Sequence, residues 1–177
     1  METKKFESEF DKLLYVMDKL RGPEGCPWDR KQDFYSLKPY IIEEAYEVVE
    51  ALEEKDMELL KEELGDLLLQ VVFQAQIGKE AKIFDIDDVI TGITTKLIRR
   101  HPHVFGEEKI NTAQEVKKTW EEIKKKERTN NNEGSILSNV SKIQPSLNQA
   151  YEIQQKAAEV GFDWDEREHY ASDYFQQ

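Results

Sequence analysis

The chain has 177 residues, of which 25 are Lys or Arg and 37 are Asp or Glu, giving a net charge of −12. This length gives one domain with a sizeable core, with or without a short appendage, and an apolar fraction of 38% rejects global disorder. The charge speaks against non-specific binding to nucleic acid strands or anionic membrane, since both are polyanions. It leaves open a small anionic ligand carried by metal ions.

Phe6, Phe10, Leu13, Leu14, Met17 and Leu20 recur at steps of three and four, which predicts an amphipathic helix. It ends at Arg21-Gly22-Pro23-Glu24-Gly25-Cys26-Pro27, where two Gly and two Pro break a helix. A second helix is expected to start between Ser36 and Pro39, with Ser36 as N-cap, and to run to about Glu54. Lys55-Asp56 is a short polar connection, so the third helix, Met57 to about Lys79, is its antiparallel neighbour.

Asp85-Ile86-Asp87 opens a fourth helix, with Val89, Ile90, Ile93 and Leu97 on one face and His101-Pro102 as its end. Thr112 followed by Glu115 reads as a capping box for a fifth helix, with Val116, Trp120 and Ile123 inward. Thr129 to Gly134 is a polar linker. Beyond it, Tyr151 to Asp165 repeats the order of Val16 to Asp29: a helix, a Gly break, then Trp followed by Asp. Strand signals are nearly absent. The expected fold is all-α, a bundle of four or five helices.

The charge is uneven. Glu43 to Asp66 holds eleven acidic and two basic residues, whereas Lys96 to Arg128 holds ten basic and six acidic. On the second helix the apolar centre falls near Ile41, Ala45, Val48 and Leu52, with Glu44 and Glu47 at the edge of that stripe and Glu43 and Glu50 further out. On the third helix Leu64, Leu67, Leu68, Leu69, Val71, Val72 and Phe73 wrap most of the circumference, which predicts a largely buried helix. Within it Glu63, Asp66, Gln70 and Gln74 form a polar stripe. Such a stripe must face water, partners or ions, because unpaired buried charge costs several kcal/mol.

Residues three apart share a helix face, so Glu44 with Glu47 and Glu63 with Asp66 form two pairs on adjacent helices. Four clustered carboxylates raise one another's pKa unless a cation sits among them. Oxygen ligands with no nearby His or Cys select a hard ion, Mg²⁺ first and Mn²⁺ second. Mg²⁺ keeps waters and takes phosphate oxygens as further ligands, which points to a phosphorylated substrate. Glu43, Glu50, Glu53, Glu54, Glu58 and Glu62 read as solvated helix faces.

Lys96 and Arg100 share one face of the fourth helix, and Trp120 and Lys124 one face of the fifth. These cations either neutralise phosphate oxygens or pair with the acidic helices. His101 and His103 flank Pro102 and read as turn or capping residues before ligands. Trp28 either stacks on a nucleobase or plugs one end of the bundle. Cys26 reads as a small buried residue before a nucleophile. As the single cysteine it forms no internal disulfide, which with the lack of a leader or a long apolar run suits the cytoplasm.

The segments Gly25-Cys26-Pro27-Trp28-Asp29, Glu43-Glu44-Ala45-Tyr46-Glu47, Glu63-Leu64-Gly65-Asp66-Leu67-Leu68, Lys96 to Gly106 and Trp120 to Lys124 together resemble the MazG-type nucleoside triphosphate pyrophosphohydrolases. The likeness covers about residues 10–128 and meets the EExxE and ExxD motifs in full. It implies an all-α, Mg²⁺-dependent homodimer that hydrolyses a nucleoside triphosphate to the monophosphate and pyrophosphate. By that analogy Glu44, Glu47, Glu63 and Asp66 hold Mg²⁺ and Glu43 assists. Lys96, Arg100 and Lys124 face the phosphates and Trp120 the nucleoside, with Trp28 a further contact.

Where the family has Gln-Thr-His after the Trp-Asp pair, this chain has Gln32-Asp33-Phe34, so a His is absent there. Longer members carry two copies of the domain. The expected layout is therefore a catalytic domain at 1–128, a linker at 129–144, and at 145–177 the helical start of a second, truncated copy. The alternative function is a catalytically silent dimerisation or regulatory domain that binds nucleotide or metal without turnover.

Overall fold

A computed structural model describes residues 5–130, 137, 140–158 and 160–162. The described residues form helices and no strand, as the sequence predicts. The chain divides into two compact units, Met1–Arg99 and Arg100–Gln177.

In the first unit, α1 (Glu9–Arg21) is capped by the Ser8 hydroxyl, which accepts the Asp11 N–H at 3.1 Å. The Gly/Pro segment does not simply end it: Pro27 opens a short helix, α2 (Pro27–Lys31). Proline suits a first turn, where its missing N–H has no partner to lose. Gly25 is required just before it, because a Cβ there would press into the carbonyls of Lys19 and Leu20. The Cys26 N–H donates to that Leu20 carbonyl at 2.8 Å.

The next helix, α3 (Lys38–Glu54), has Leu37 rather than Ser36 as its N-cap. Ser36 is used one turn earlier. Its hydroxyl accepts the Asp33 N–H, while the Asp33 carboxylate accepts the N–H groups of Tyr35 and Ser36. This local side-chain turn competes with the cap.

Lys55 closes α3 in the left-handed region at φ 59°, and the Asp56 N–H returns to the Ala51 carbonyl. The Asp56 carboxylate then caps α4 (Met57–Glu80) by accepting the N–H groups of Glu58 and Leu59 at 3.0 Å each. Two residues thus turn the chain and lay α4 along α3. Asp85 likewise opens α5 (Ile86–Arg100) by accepting the N–H groups of Asp87 and Asp88.

The core lies between α1, the start of α3 and the second half of α4. Met17, Leu37, Val72, Phe73 and Ile77 are buried there, lined by Phe10, Leu13, Leu14, Phe34, Tyr40 and Leu69. Each large apolar side chain so buried contributes about 1.5–3 kcal/mol.

Two expectations change. Helix α4 is buried mainly in its second half, whereas Leu64, Leu68 and Val71 are 41–49% exposed. On α3 the buried residue is Ala51, while Ala45 and Leu52, expected at the apolar centre, are exposed. Periodicity locates an apolar stripe on its own helix but not the element that covers it. Here the side of α3 turned toward α4 carries Glu44 and Glu47, both half-buried. The apolar face of α5, with Val89, Ile90, Ile93 and Leu97, is also exposed.

The second unit contains α6 (Pro102–Phe105), α7 (Ala113–Asn130) and α8 (Ser146–Ala158). The capping box forms as expected: the Thr112 hydroxyl accepts the Glu115 N–H, and the Glu115 carboxylate accepts the N–H groups of Asn111 and Thr112, each at 3.2 Å. Helix α7 continues through Thr129 and Asn130, and the remaining linker residues 131–134 lie outside the described residues. The expected Gly break after α8 is present. Gly161 takes φ +80°, and the Phe162 N–H returns to the Ala157 carbonyl. The Trp164-Asp165 pair of the repeat lies outside the described residues.

One side chain ties the first unit together. The Arg21 guanidinium, 6% exposed, donates to both Glu80 carboxylate oxygens at 2.9 and 2.7 Å and to the carbonyls of Asp29 and Gln32. It also lies 5.3 Å from the Phe73 ring centre. It thereby joins α1, the α2 loop and the end of α4. Glu80→Gln is expected to destabilise the fold at pH 7 by about 1–3 kcal/mol, because the buried guanidinium loses its charged partner. Arg21 holds the Glu80 carboxyl below the usual range. The stabilisation is therefore full above the ordinary glutamate pKa and is lost as pH falls through the lowered value. Urea unfolding of both proteins across pH should show the difference vanishing in acid; a difference that persists there refutes this account.

Candidate active site

Glu44 lies one turn beyond Tyr40 on α3, and Glu63 and Asp66 lie one turn apart on α4. The α3–α4 connection brings them together: one carboxylate oxygen from each of Glu44, Glu63 and Asp66 lies within 4.8 Å of the other two. All three side chains are half-buried. Glu47 stands outside this threesome but near enough that it raises the carboxyls of both Glu44 and Glu63. Glu43 is exposed and outside the group.

Burial raises the Glu44 carboxyl above its usual range, and the charges of Asp66, Glu47 and Glu63 raise it further. Glu63 is raised by burial and then by Glu47, Asp66 and Glu62. No basic side chain is among the causes at either residue. Repulsion of this kind is what a cation relieves. The donor set is oxygen only, which suits a hard divalent ion and not a thiophilic one.

Gln70, one turn beyond Asp66, is only 7% exposed. Its Nε2 donates to Glu44 Oε1 at 3.4 Å, and its Oε1 is buried without a partner among the described residues. Sequence reasoning placed Gln70 in the polar stripe and gave it no role. The available signal was a neutral amide inside an apolar run, one turn from a carboxylate. Gln74 completes the stripe by donating to the Phe34 carbonyl at 3.3 Å.

The remaining predicted residues are placed as follows. Lys96 is exposed on α5. In the second unit Arg100 pairs with Glu127 at 2.6 Å and lies 5.3 Å from the Trp120 ring centre. The His101 ring meets Trp120 edge-on at 4.7 Å, at the start of α6, a turn position as expected. Lys124 pairs with Glu121 at 2.9 Å. In the first unit Trp28 is half-exposed, with its ring edge-on to Tyr40 at 5.9 Å. Cys26 is half-buried and free.

The family model described as the MazG nucleotide pyrophosphohydrolase domain matches residues 32–105, the stretch that carries α3, α4 and α5. The crystal structure of a MazG-related protein from Thermotoga maritima is 33% identical, with a TM-score of 0.55, and the match covers 65% of this chain and 98% of that one. The chain belongs to the MazG family. A Thermotoga maritima protein named nucleoside triphosphate pyrophosphohydrolase/pyrophosphatase MazG is 50% identical over 159 residues, 90% of this chain. The nucleoside triphosphate pyrophosphohydrolase of Escherichia coli K12 is 46% identical over 158 residues, 89% of this chain. The chain spans about 60% of the length of these two relatives.

A carboxyl raised in the folded state retains a proton that the unfolded chain has released. Glu44 and Glu63 therefore cost stability as pH rises from the ordinary glutamate value through their raised values. With chelator present, Glu44→Gln is expected to melt above the wild type at pH 8, with the gain shrinking as pH falls through the raised Glu44 value. Equal melting temperatures at pH 8 contradict the electrostatic account.

Proposed function

We propose that this chain is a divalent-ion-dependent nucleoside triphosphate pyrophosphohydrolase. It converts a nucleoside or deoxynucleoside triphosphate and water to the monophosphate and pyrophosphate. The observation that carries this reading is the mutual approach of Glu44, Glu63 and Asp66 to within 4.8 Å in a chain of this family.

Glu44, Glu63 and Asp66 hold Mg²⁺, or Mn²⁺ in its place, and Glu47 completes the set from beside Glu44 and Glu63. Bound there, such an ion supplies charge neutralisation for phosphate oxygens and lowers the pKa of an attacking water. Glu43 assists from the outer side of α3. Lys96, Arg100 and Lys124 bind the phosphates the ion does not reach. Arg100 and Lys124 now pair with Glu127 and Glu121, so phosphate oxygens exchange with those carboxylates like for like. Trp120 and Trp28 contact the nucleoside end. The second reading is a catalytically silent dimerisation or regulatory domain that binds nucleotide or metal without turnover.

The partner is a second copy of this chain. Exposed apolar side chains on α3 (Ile42, Tyr46, Val49), α4 (Leu64, Leu68, Val71) and α5 (Ile90, Ile93) stand uncovered among the described residues, and cover of that kind is what a helical dimer interface supplies. No described helix is long and apolar enough to cross a membrane. A cytoplasmic role in clearing the nucleotide pool fits these features, and residues 145–177 read as the start of a second domain copy.

Purified protein with Mg²⁺ and a panel of ribo- and deoxyribonucleoside triphosphates should give monophosphate and pyrophosphate on chromatography. Release of orthophosphate alone overturns the reaction, and nucleotide binding without turnover selects the silent domain. Asp66→Asn should reduce turnover by more than the roughly 10–100-fold typical of changes outside the ligand shell. Leu68→Glu should convert a dimer into a monomer in sedimentation; a monomeric wild type removes the dimer from the proposal.

A further inference from the structure

Gln70 holds an arrangement that packing alone does not explain. It is a neutral amide buried at 7% exposure on α4 of the first unit. Its amide nitrogen spends one N–H on Glu44 Oε1 at 3.4 Å, and its oxygen has no donor within reach among the described residues. An unpaired buried acceptor costs about 1–3 kcal/mol, whereas Leu or Met at this site on α4 would carry no such cost. The neighbouring carboxylates Glu44, Glu63 and Asp66 are themselves acceptors. They offer nothing to the amide oxygen and repel any anion that approaches it.

The ionised Glu44 also fixes which way the amide lies. With Nε2 toward the carboxylate the contact is attractive, and with Oε1 there it is repulsive. The oxygen is thereby held as an acceptor at the margin of the carboxylate group. The chemistry that satisfies it is a strong donor brought in by a cation. A hard divalent ion held by three carboxylates retains several waters, and those waters are polarised O–H donors. Groups that hold such outer ligands in place tune a metal site almost as strongly as the ligands do.

We propose that Gln70 is a positioning residue of the metal site: its N–H fixes the Glu44 carboxylate and its Oε1 accepts a hydrogen bond from a water in the hydration shell of the divalent ion. This rests on the reading of the Glu44, Glu63 and Asp66 group as a divalent-ion site. It adds to that carboxylate set a contributor that reaches the ion only through water and through Glu44.

The test uses the full chain and Mn²⁺ alone, by calorimetric titration, together with melting of the metal-free protein. Gln70→Met keeps the length of the side chain and removes the amide. Its Mn²⁺ dissociation constant is expected to rise roughly 10–100-fold, while its metal-free melting temperature stays equal to the wild type or rises. Gln70→Glu keeps an acceptor oxygen and should hold Mn²⁺ more tightly than Gln70→Met. Unchanged Mn²⁺ affinity in Gln70→Met overturns the proposal, and so does a weakened affinity matched by a lowered metal-free melting temperature, which marks a structural role. A wild type that binds no Mn²⁺ defeats the metal reading itself, a result distinct from a wild type and Gln70→Met that bind equally. Should Gln70→Met fail to fold, Mg²⁺ titration of the ¹⁵N-labelled wild type decides. The Gln70 side-chain amide signals should shift well beyond those of Gln76; signals that stay fixed while Mg²⁺ binds refute the role.

Discussion

Three carboxylates that repel one another stand within 4.8 Å because packing elsewhere forces them there. Met17, Val72, Phe73 and Ile77 bury the second half of α4 against α1, and Leu37 anchors the start of α3 in the same core. The two-residue connection fixes the other ends of α3 and α4. The carboxylates lie between these two fixed points and have no freedom to separate. Apolar burial thus does work against charge, and the raised Glu44 and Glu63 carboxyls record that opposition.

Helix α4 accordingly has two parts. Its C-terminal half is core, tied at the end by the ion pair of Arg21 with Glu80. Its N-terminal half bears Glu63 and Asp66 toward α3 and turns Leu64 and Leu68 outward. A rigid half that holds a strained half is a common way to keep a site preorganised, since the strain is supported by residues that take no part in the chemistry. Gln70 stands at the boundary, buried like the core and polar like the site.

Local signals in the sequence were strong where one short segment decides the outcome. Asp56 and Asp85 cap their helices, the box of Thr112 with Glu115 closes as its spacing requires, and the pairing of Glu44 with Glu63 and Asp66 follows from the short Lys55-Asp56 link. Signals failed where two local solutions compete or where a distant surface decides. Ser36 had an equally good use in the Asp33 turn. Pro27 was read as a breaker although a first turn tolerates it. Ala45 and Leu52 formed a true apolar stripe, but nothing in a stripe states which element, if any, covers it. The Gln70 amide was visible as a residue type and invisible as an unpaired acceptor, because satisfaction is a property of neighbours and not of sequence.

The connection at Lys55-Asp56 has a consequence for how such a chain tolerates change. Exposed polar loops ordinarily accept insertions well. Here one added residue would lengthen the closure in which the Asp56 N–H returns to the Ala51 carbonyl and the Asp56 carboxylate caps α4, releasing one of the two fixed points that hold Glu63 and Asp66 against Glu44 while leaving every one of those side chains intact. The length of a solvated turn, bearing no chemistry of its own, is therefore as strict a requirement for this site as the identity of its acids. A survey of functional variants by substitution alone would miss it, whereas a scan of single-residue insertions would find it at once.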